Sequence, residues 1–495
     1  MKKNLLALSV SAMIGGLGFA GAANAALNVA ESGTGHILVM PYYNAQNGNM
    51  SVFHLTNTDT VNGKAVKVRF RGASNSDDVL DFQVFMSPGD VWTAAVSQGA
   101  DGRAHLVTAD TSCTLPQIPA GGVSFVTDRL SKKGWTDADK AEQTREGYVE
   151  ILNMSDIQPG SKLFTATKHV SGAGTAPCTA TVLNSTLSLT PSAAGANLNL
   201  DGALVAGKDD LAAPTGGLTG QWYIQNVAQT TTFSGTAAAI TADTATKNVF
   251  SPQKNGAAAL LTADPLMVGG ALVAQHYDVP DLSTPYETAT ADAAAQAIAL
   301  TGALAKTSVM NQYATDAGVF AKTDWVFSMP TRRYTVAANY AADVSQKVQS
   351  VTIGDTIAAD SYRVINADVT GNIFSLSGNT SVNDKGQICV TAQSSTFFDR
   401  EERYQQDGAV FSPGTPTKTQ LCGEVSVLAF SNDASVLGAT VARQNVAAPY
   451  TNGWGAVTFG AATPVLGASF VKLQNANATP GVSGTYGINW AHSYK

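Results

Sequence analysis

The chain has 495 residues, of which 44% are hydrophobic and only 14% are charged, and its formal net charge is −7. This length is sufficient for one large core or for two to three ordinary domains. Nucleic-acid binding is not expected, because the chain is acidic and has no cluster of lysine and arginine residues to neutralise phosphates. The charged share lies well below the usual ~25%, and the polar remainder of small residues favours strands and turns.

The N-terminus has the three parts of a secretory signal peptide, residues 1–25. Lys2 and Lys3 precede an apolar run over residues 5–20, and residues 23–25 (ANA) supply small side chains for cleavage. A membrane-spanning helix needs about 20 apolar residues, and this run is shorter. We therefore expect cleavage after Ala25, no transmembrane helix in the mature chain, and a location at the cell surface or outside the cell.

Residues 26–170 show the period-two alternation of β-strands. In the sequence KAVKVRFRG, apolar residues alternate with Lys67, Arg69 and Arg71, which predicts a half-buried strand with the cations on its polar face. Residues 79–94 (VLDFQVFMSPGDVWTA) predict two strands joined by a turn at SPGD. Short strands separated by polar turns are typical of an antiparallel β-sandwich.

The rest of the mature chain divides into two further predicted regions. Residues 171–285 are rich in alanine, threonine and glycine and predict irregular β structure around one clear strand, GQWYIQNV. Residues 286–495 open with an amphipathic helix near 290–305 and continue as strands. The apolar positions of that helix recur at intervals of four, three and four residues: Ala293, Ala297, Leu300 and Leu304. The predicted fold class is mainly β, an antiparallel β-sandwich architecture with long Ala/Thr/Gly-rich loops and this one helix.

The cysteines predict two disulfides. The chain has four cysteines, Cys113, Cys178, Cys389 and Cys422. None lies in a CxxC motif, and none is separated from a histidine by the sequence spacing typical of a metal site. An even number in an exported chain indicates disulfides in preference to a metal site. Three connectivities are open, and we favour the two that join neighbours in sequence.

One short stretch concentrates charge. Residues 397–414 (FFDREERYQQDGAVFSPG) contain Asp399, Glu401 and Glu402, with Arg400 among them and Arg403 directly after them. Adjacent residues of a strand point to opposite faces, and nearby arginines keep carboxylates ionised, whereas a general acid needs a raised pKa. A charged turn between two strands is therefore favoured over a catalytic site. Calcium binding by these three carboxylates is an alternative, and NSDD at 75–78 offers similar ligands.

No other motif indicates an enzyme or a cofactor. The chain lacks HExxH, GxSxG and phosphate-loop patterns. Its six histidines are scattered, and the close His and Asp pair in QHYD at 275–278 is interpreted as the end of a strand. His54 falls on the polar side of its strand. We predict a protein that is not an enzyme and has no cofactor, calcium excepted.

Several strings together resemble secreted surface proteins of Gram-negative bacteria, some of them labelled surface-layer proteins. These strings are VLDFQVFMSPGDVWTA, TDWVFSMPTRRY, FFDREE and YGINWAHSY. The resemblance implies a structural or adhesive role at the cell exterior, with outer-surface components as partners. It supplies no catalytic residue and no ligand. Self-association into a surface layer is also expected, because a surface with few charges loses little on desolvation when copies pack together.

Two other functions stay open. A carbohydrate-binding or carbohydrate-cleaving protein would place exposed aromatic rings in one groove, and Trp92, Trp222, Trp325 and Trp454 are the candidates, although their alternating surroundings favour core positions. An outer-membrane β-barrel is suggested by the alternation over residues 486–494. The predicted helix, the disulfides and strands shorter than the ~9–11 residues needed to cross a membrane fit a barrel poorly.

Overall fold

The structure, a computed structural model, describes residues 27–127, 130, 135–170, 176–179, 182–183, 211–243, 266–268, 271–273, 280–286, 293–334, 337–339, 348–349, 362–364, 380–385, 387–406, 418–430, 435–475, 477–479 and 484–495. The predicted signal peptide and the QHYD motif lie outside these residues. Within them, no helix combines the length and the apolar character needed to cross a membrane.

The fold is mainly β, as the sequence predicts. The strands up to residue 273 are β1 (Leu27–Val29), β2 (Ile37–Asn44), β3 (Met50–Asn57), β4 (Gly63–Gly72), β5 (Asp78–Met86), β6 (Val91–Gln98), β7 (Ala104–Val107), β8 (Cys113–Leu115), β9 (Val123–Ser124), β10 (Glu146–Ile157), β11 (Leu211–Ala212), β12 (Leu218–Asn226), β13 (Thr231–Thr236), β14 (Ala238–Ala242), β15 (Leu266–Val268) and β16 (Ala271–Val273).

The later strands are β17 (Ala305–Ala314), β18 (Lys322–Ser328), β19 (Ala337–Asn339), β20 (Val348–Gln349), β21 (Tyr362–Val364), β22 (Thr380–Val382), β23 (Ile388–Thr391), β24 (Ser394–Phe398), β25 (Tyr404–Gln406), β26 (Gln420–Cys422), β27 (Val425–Ala429), β28 (Arg443–Asn445), β29 (Asn452–Pro464), β30 (Leu466–Gln474), β31 (Thr485–Ala491) and β32 (Ser493–Tyr494). The helices are α1 (Asp137–Gln143), α2 (Lys162–Thr167) and α3 (Ala293–Leu304), with short 3-10 turns at Ala317–Val319 and Arg332–Tyr334.

Two antiparallel sheets pack against each other in the N-terminal part. An eight-stranded sheet has the order β1-β14-β2-β10-β4-β5-β8, with β11 on β10, and a six-stranded sheet has the order β13-β12-β3-β6-β7-β9. Their facing side chains interlock: the rings of Phe53 and Phe70 meet edge to face at 5.4 Å, and Phe82 lies 5.6 Å from Trp92. Each fully buried apolar side chain of this kind contributes about 1.5–3 kcal/mol.

Two five-stranded sheets form the C-terminal part. Their orders are β25-β24-β29-β17-β32 and β28-β27-β18-β30-β31, and of their pairings only β27 with β28 is parallel. The core between them is aromatic, because Tyr313 stacks on Phe430 at 5.1 Å and Trp325 lies 4.9 Å from Phe430. The remaining described strands form three smaller sheets.

The larger hydrophobic core runs through both parts of the chain. The ring of Phe470, on β30, lies 6.4 Å from Tyr42, 6.1 Å from Trp222 and 5.3 Å from Phe233. These four residues come from all three of the regions predicted for the mature chain. Packing therefore joins 26–170, 171–285 and 286–495 around shared side chains.

Strand β4 is buried on both faces, so the prediction of a half-buried strand is wrong. Lys67, Arg69 and Arg71 are inaccessible to solvent or nearly so. Arg69 Nη1 lies 2.6 Å from a carboxylate oxygen of Asp78, and Arg71 Nε lies 3.1 Å from Glu150 Oε1. The polar face of the sheet is covered by residues from the second half of the chain, which supply further partners such as Asp281 near Arg71. The alternation of apolar and polar residues distinguishes the two faces of a strand, but it does not show which residues cover each face.

Helix α3 occupies the predicted position. Ala297, Leu300 and Leu304 are buried along one side, while Ile298 is exposed. The helix contacts β1 and β29, so it bridges the N-terminal and C-terminal parts. The buried apolar side of the helix therefore packs against these sheets.

Both disulfides join cysteines that are neighbours in sequence, as favoured from the spacing. Cys113 is bonded to Cys178, with Cα atoms 5.9 Å apart, and Cys389 to Cys422, at 3.9 Å. Cys389 and Cys422 face each other directly across β23 and β26. No described cysteine is free.

A segment between β27 and β28, residues 435–442, is fastened to both parts and is called the strap below. Asp324 Oδ2, on β18, accepts the backbone N–H of Leu437 at 3.0 Å. Glu146 Oε1, on β10, accepts the N–H of Thr440 at 2.7 Å. Both carboxylates are fully buried. The strap is therefore held by hydrogen bonds to charged groups, which are stronger than those to neutral ones.

Candidate functional site

An open cleft of 860 Å³ is lined by residues of both C-terminal sheets. One wall is formed by β17, the end of β24 and the start of β29, and the other by β30 and β31. The turn after β17 and the connection between β24 and β25 line the cleft as well. Its volume falls within the ~300–1,000 Å³ range of small-molecule sites in proteins.

The first wall presents a pre-formed pair of aromatic rings. Phe398 and Trp454 face each other across β24 and β29, and their rings stack at 4.3 Å with an angle of 5° between the planes. Trp454 nevertheless keeps 41% of its surface exposed. Gly453 permits this close pairing, since a Cβ atom there would overlap the carbonyl oxygen of Phe398. The strand register thus fixes the tryptophan ring at the cleft.

The second wall is the edge strand β31 together with β30. Ile488 and Trp490 alternate with inward-facing residues and are exposed, Trp490 to 40%. Val471 and Leu473, on β30, line the cleft as well and add apolar surface. The cleft therefore offers tryptophan side chains from two different sheets.

The charged stretch identified in the sequence forms the rim of this cleft. It connects β24 to β25 as a turn, in which Asp399 Oδ1 accepts the backbone N–H groups of Glu401 at 2.9 Å and Arg403 at 2.8 Å. The Arg403 guanidinium pairs with Oδ2 of the same carboxylate. Glu402 adopts a left-handed backbone with φ of 67°. The turn is thus organised around one aspartate, and Arg400 and Glu402 line the cleft beside it.

Asp399, the central carboxylate of this rim, does not have the raised pKa of a general acid. Burial would raise the pKa of Asp399, but the N–H groups of Arg403 and Glu401 and the Arg403 guanidinium together hold that pKa below its ordinary value. A general acid needs the opposite shift. The Asp399 carboxylate therefore organises the turn through these contacts. Glu401 lies near Arg403, at 3.8 Å.

The calcium candidates are not gathered into a cluster. Both oxygens of Asp399 serve the turn, while Glu401 and Glu402 are exposed. In the NSDD stretch, Asp77 and Asp78 are buried, and Asp78 pairs with Arg69. Within the described part of the chain, no group of three or more His, Cys, Asp or Glu side chains could hold a metal ion.

The tryptophan candidates separate into two groups. Trp92, Trp222 and Trp325 are buried in the core, as the alternation favours, whereas Trp454 lines the cleft. Trp490 joins it there, although its sequence pattern suggested a barrel strand. The sequence signal for Trp490 was the alternation of aromatic residues over 486–494. That alternation does not show what the exposed side of the strand faces. His54 packs at 5.7 Å on Tyr223 at the surface of its strand.

No protein-family model, no curated protein and no solved structure matches this chain. The cleft is where exposed aromatic, apolar and charged side chains converge in the described structure.

Proposed function

We propose that this chain is an exported, non-catalytic adhesive protein of the bacterial cell surface, and that it binds its ligand in the cleft between the C-terminal sheets. The observation that carries the proposal is the open cleft lined by Trp454 from one sheet and Trp490 from another. Exposed apolar surface of this kind on a folded protein is typical of a binding site. The rim supports binding over catalysis, because its central carboxylate is fixed in a turn.

The location at the cell exterior is supported by the sequence. The N-terminal pattern of a signal peptide and the resemblance to surface proteins of Gram-negative bacteria point to the same place. The two disulfides agree with an oxidising compartment. Outer-surface components of the same or another cell are the proposed partners.

A protease-protection experiment tests the location. A chain with an epitope tag in an exposed turn is expressed in a Gram-negative host, and intact cells are treated with a protease. We expect loss of the tag signal from intact cells while a periplasmic marker is preserved. A tag that becomes accessible only after the outer membrane is opened would refute a surface location.

Adhesion tests the role of the cleft. Beads coated with the mature protein should bind to bacterial cells or to isolated envelopes, and Trp454→Ala should reduce that binding. Tyr486→Ala is the matched control, because Tyr486 is an exposed aromatic residue on the same edge strand as Trp490 and does not line the cleft. Equal loss in both variants would argue against the cleft as the adhesive site.

Self-association is a separable part of the proposal. Light scattering of the mature protein with calcium and then with chelator should detect assembly, because a divalent cation can bridge acidic copies. Scattering that stays monomeric in both conditions would remove the surface-layer role. The adhesive role would then stand on the cleft alone.

A further inference from the structure

We infer that the ligand of the cleft is a neutral oligosaccharide, stacked on Trp454 and Trp490 and hydrogen-bonded to the charged rim. This inference rests on the proposed adhesive function and specifies the ligand. It follows from the shape of the aromatic surface, the composition of the rim and the sign of its charge.

The aromatic rings provide flat, electron-rich faces. The faces of indole rings carry partial negative charge and attract the weakly positive C–H groups that a sugar ring presents on its apolar side. Trp454 is held in place by its stack on Phe398, so binding does not have to immobilise a free side chain. Trp490 lines the same cleft from a second sheet, so the cleft offers two separate indole rings on which sugar rings can stack.

The rim supplies the groups that sugar hydroxyls need. Asp316 and Glu402 provide carboxylate oxygens, Arg400 provides a donor, and Asn452 provides both an acceptor and a donor. Hydrogen bonds between a hydroxyl and a charged group are stronger than those between neutral groups. A few polar groups around an apolar surface are what orients a ligand in a site of this size.

The charge of the rim selects among ligands with flat apolar surfaces. Nucleic-acid bases also stack on tryptophan, but their phosphates need a basic groove. This cleft has no excess of basic groups: Asp316 and Glu402 line it beside Arg400, and Asp399 is already paired with Arg403. Acidic polysaccharides are disfavoured for the same reason. An uncharged sugar chain can both stack on the tryptophan rings and form hydrogen bonds with the rim.

Binding to defined oligosaccharides tests the inference. The full mature chain is titrated with maltohexaose, cellohexaose, chitohexaose and mannohexaose, and binding is followed by calorimetry and by tryptophan fluorescence. We expect saturable binding of at least one of them and a blue shift of the emission as exposed indole rings are covered. Heparin, a polyanion, should not bind.

Three variants locate the site. Trp454→Ala and Trp490→Ala should each weaken binding by about tenfold or more, as expected for tryptophans at the centre of a binding site. Tyr486→Ala should leave the affinity unchanged. Circular dichroism and thermal unfolding establish that each variant is folded. Trp490→Ala should disturb the fold less than Trp454→Ala, because the strand of Trp490 lies at the edge of its sheet.

The outcomes distinguish this inference from the function on which it rests. Absence of binding to all four oligosaccharides, or binding that survives both tryptophan variants, would overturn the sugar ligand. If adhesion to cells still depends on Trp454 in that case, the adhesive function stands with another ligand. If the tryptophan variants abolish self-association in light scattering instead, the cleft is an interface between copies and the sugar ligand is wrong.

Discussion

Glu146 holds the backbone of Thr440 from a position 294 residues earlier in the chain, with the N–H of Thr440 donating to Oε1 at 2.7 Å. The same oxygen accepts the N–H of Val441 at 3.2 Å, and Tyr42 donates its hydroxyl to Oε2 at 3.2 Å. One buried carboxylate thereby fastens the strap to the N-terminal sheet.

Removing this carboxylate should destabilise the whole fold. We expect Glu146→Ala to lower the free energy of unfolding by about 3 kcal/mol, because it leaves the N–H groups of Thr440 and of the buried Val441 without their acceptor. Glu146→Gln keeps one carbonyl oxygen and should lose less. Urea unfolding measures both, with Glu31→Ala as the exposed control, for which we expect a change below about 0.5 kcal/mol. Equal stability of the three variants would contradict a role for the strap contact.

Two buried groups should give opposite pH dependences. Burial raises the pKa of Asp324 to about 6, although its hydrogen bonds to the strap and the nearby Arg443 oppose the shift. Burial lowers the pKa of His492 to about 4, and the ring is held neutral between Asn311, 2.9 Å from Nδ1, and the carbonyl of Val326, 2.8 Å from Nε2.

The signs follow from proton binding in the folded and unfolded states. Between about pH 4 and 6 the folded chain binds more protons at Asp324, so this group stabilises the protein below pH 4 and loses that contribution as the pH rises through 6. His492 binds fewer protons when folded, so its contribution is present above about pH 6.5 and is lost as the pH falls through 4. Each shift corresponds to about 3 kcal/mol.

The two effects should therefore cancel in part in the wild-type protein. We expect Asp324→Asn to become more stable as the pH rises from 4 to 6.5, and His492→Gln to show the reverse trend. Guanidinium unfolding at half-unit pH steps measures the slopes. Parallel pH profiles for the two variants would show that these groups do not titrate as described.

The disulfides should contribute similar amounts to stability. Replacing Cys113 and Cys178 together by serine opens a loop with a sequence separation of 65, and replacing Cys389 and Cys422 opens one of 33. Each double variant should lose about 4 kcal/mol in the chain-entropy model, slightly more for the longer loop. Guanidinium midpoints measure the loss. Thiol titration of the unfolded, unreduced protein should find no free thiol, and a positive result would contradict the pairing.

The buried ion pair of β4 should behave differently from an exposed one. Arg71→Ala removes a counterion of the buried Glu150, so we expect a loss of about 3–5 kcal/mol. The double variant Arg71→Met/Glu150→Gln removes both charges and should lose less than the single variant. Arg103→Ala breaks the partly exposed pair with Asp101 and should change stability by no more than about 1 kcal/mol. Similar losses for Arg71→Ala and Arg103→Ala would argue against a buried network.

The sequence predicted what depends on local pattern. Alternation and composition predicted a mainly β fold, periodicity located the helix ending at Leu304, and spacing favoured the observed partner of each cysteine. These features depend on neighbours in the chain. The burial of Arg71 was missed because its partner Asp281 and the layer around it are supplied by residues more than two hundred positions later.

The cleft was predicted only in outline. The turn at Asp399 and the candidate Trp454 were both identified from sequence, but nothing in their spacing brings them together with Trp490. That juxtaposition depends on the order of strands in two sheets. A one-dimensional pattern assigns a residue to a face of its strand, whereas the cleft combines residues from strands of two sheets and from the turns beside them.

The core around Phe470 has a consequence for how the chain is made. Synthesis proceeds from the N-terminus, so Tyr42 and Trp222 exist long before the residue on which their rings pack. Val29 must also wait for Ile240, its partner in the neighbouring strand. Contacts between such distant positions slow folding, and unpaired strand edges promote aggregation in the meantime. The N-terminal sheets therefore cannot complete their packing during elongation, and the nascent chain needs protection from its own edges until almost the last strand has emerged.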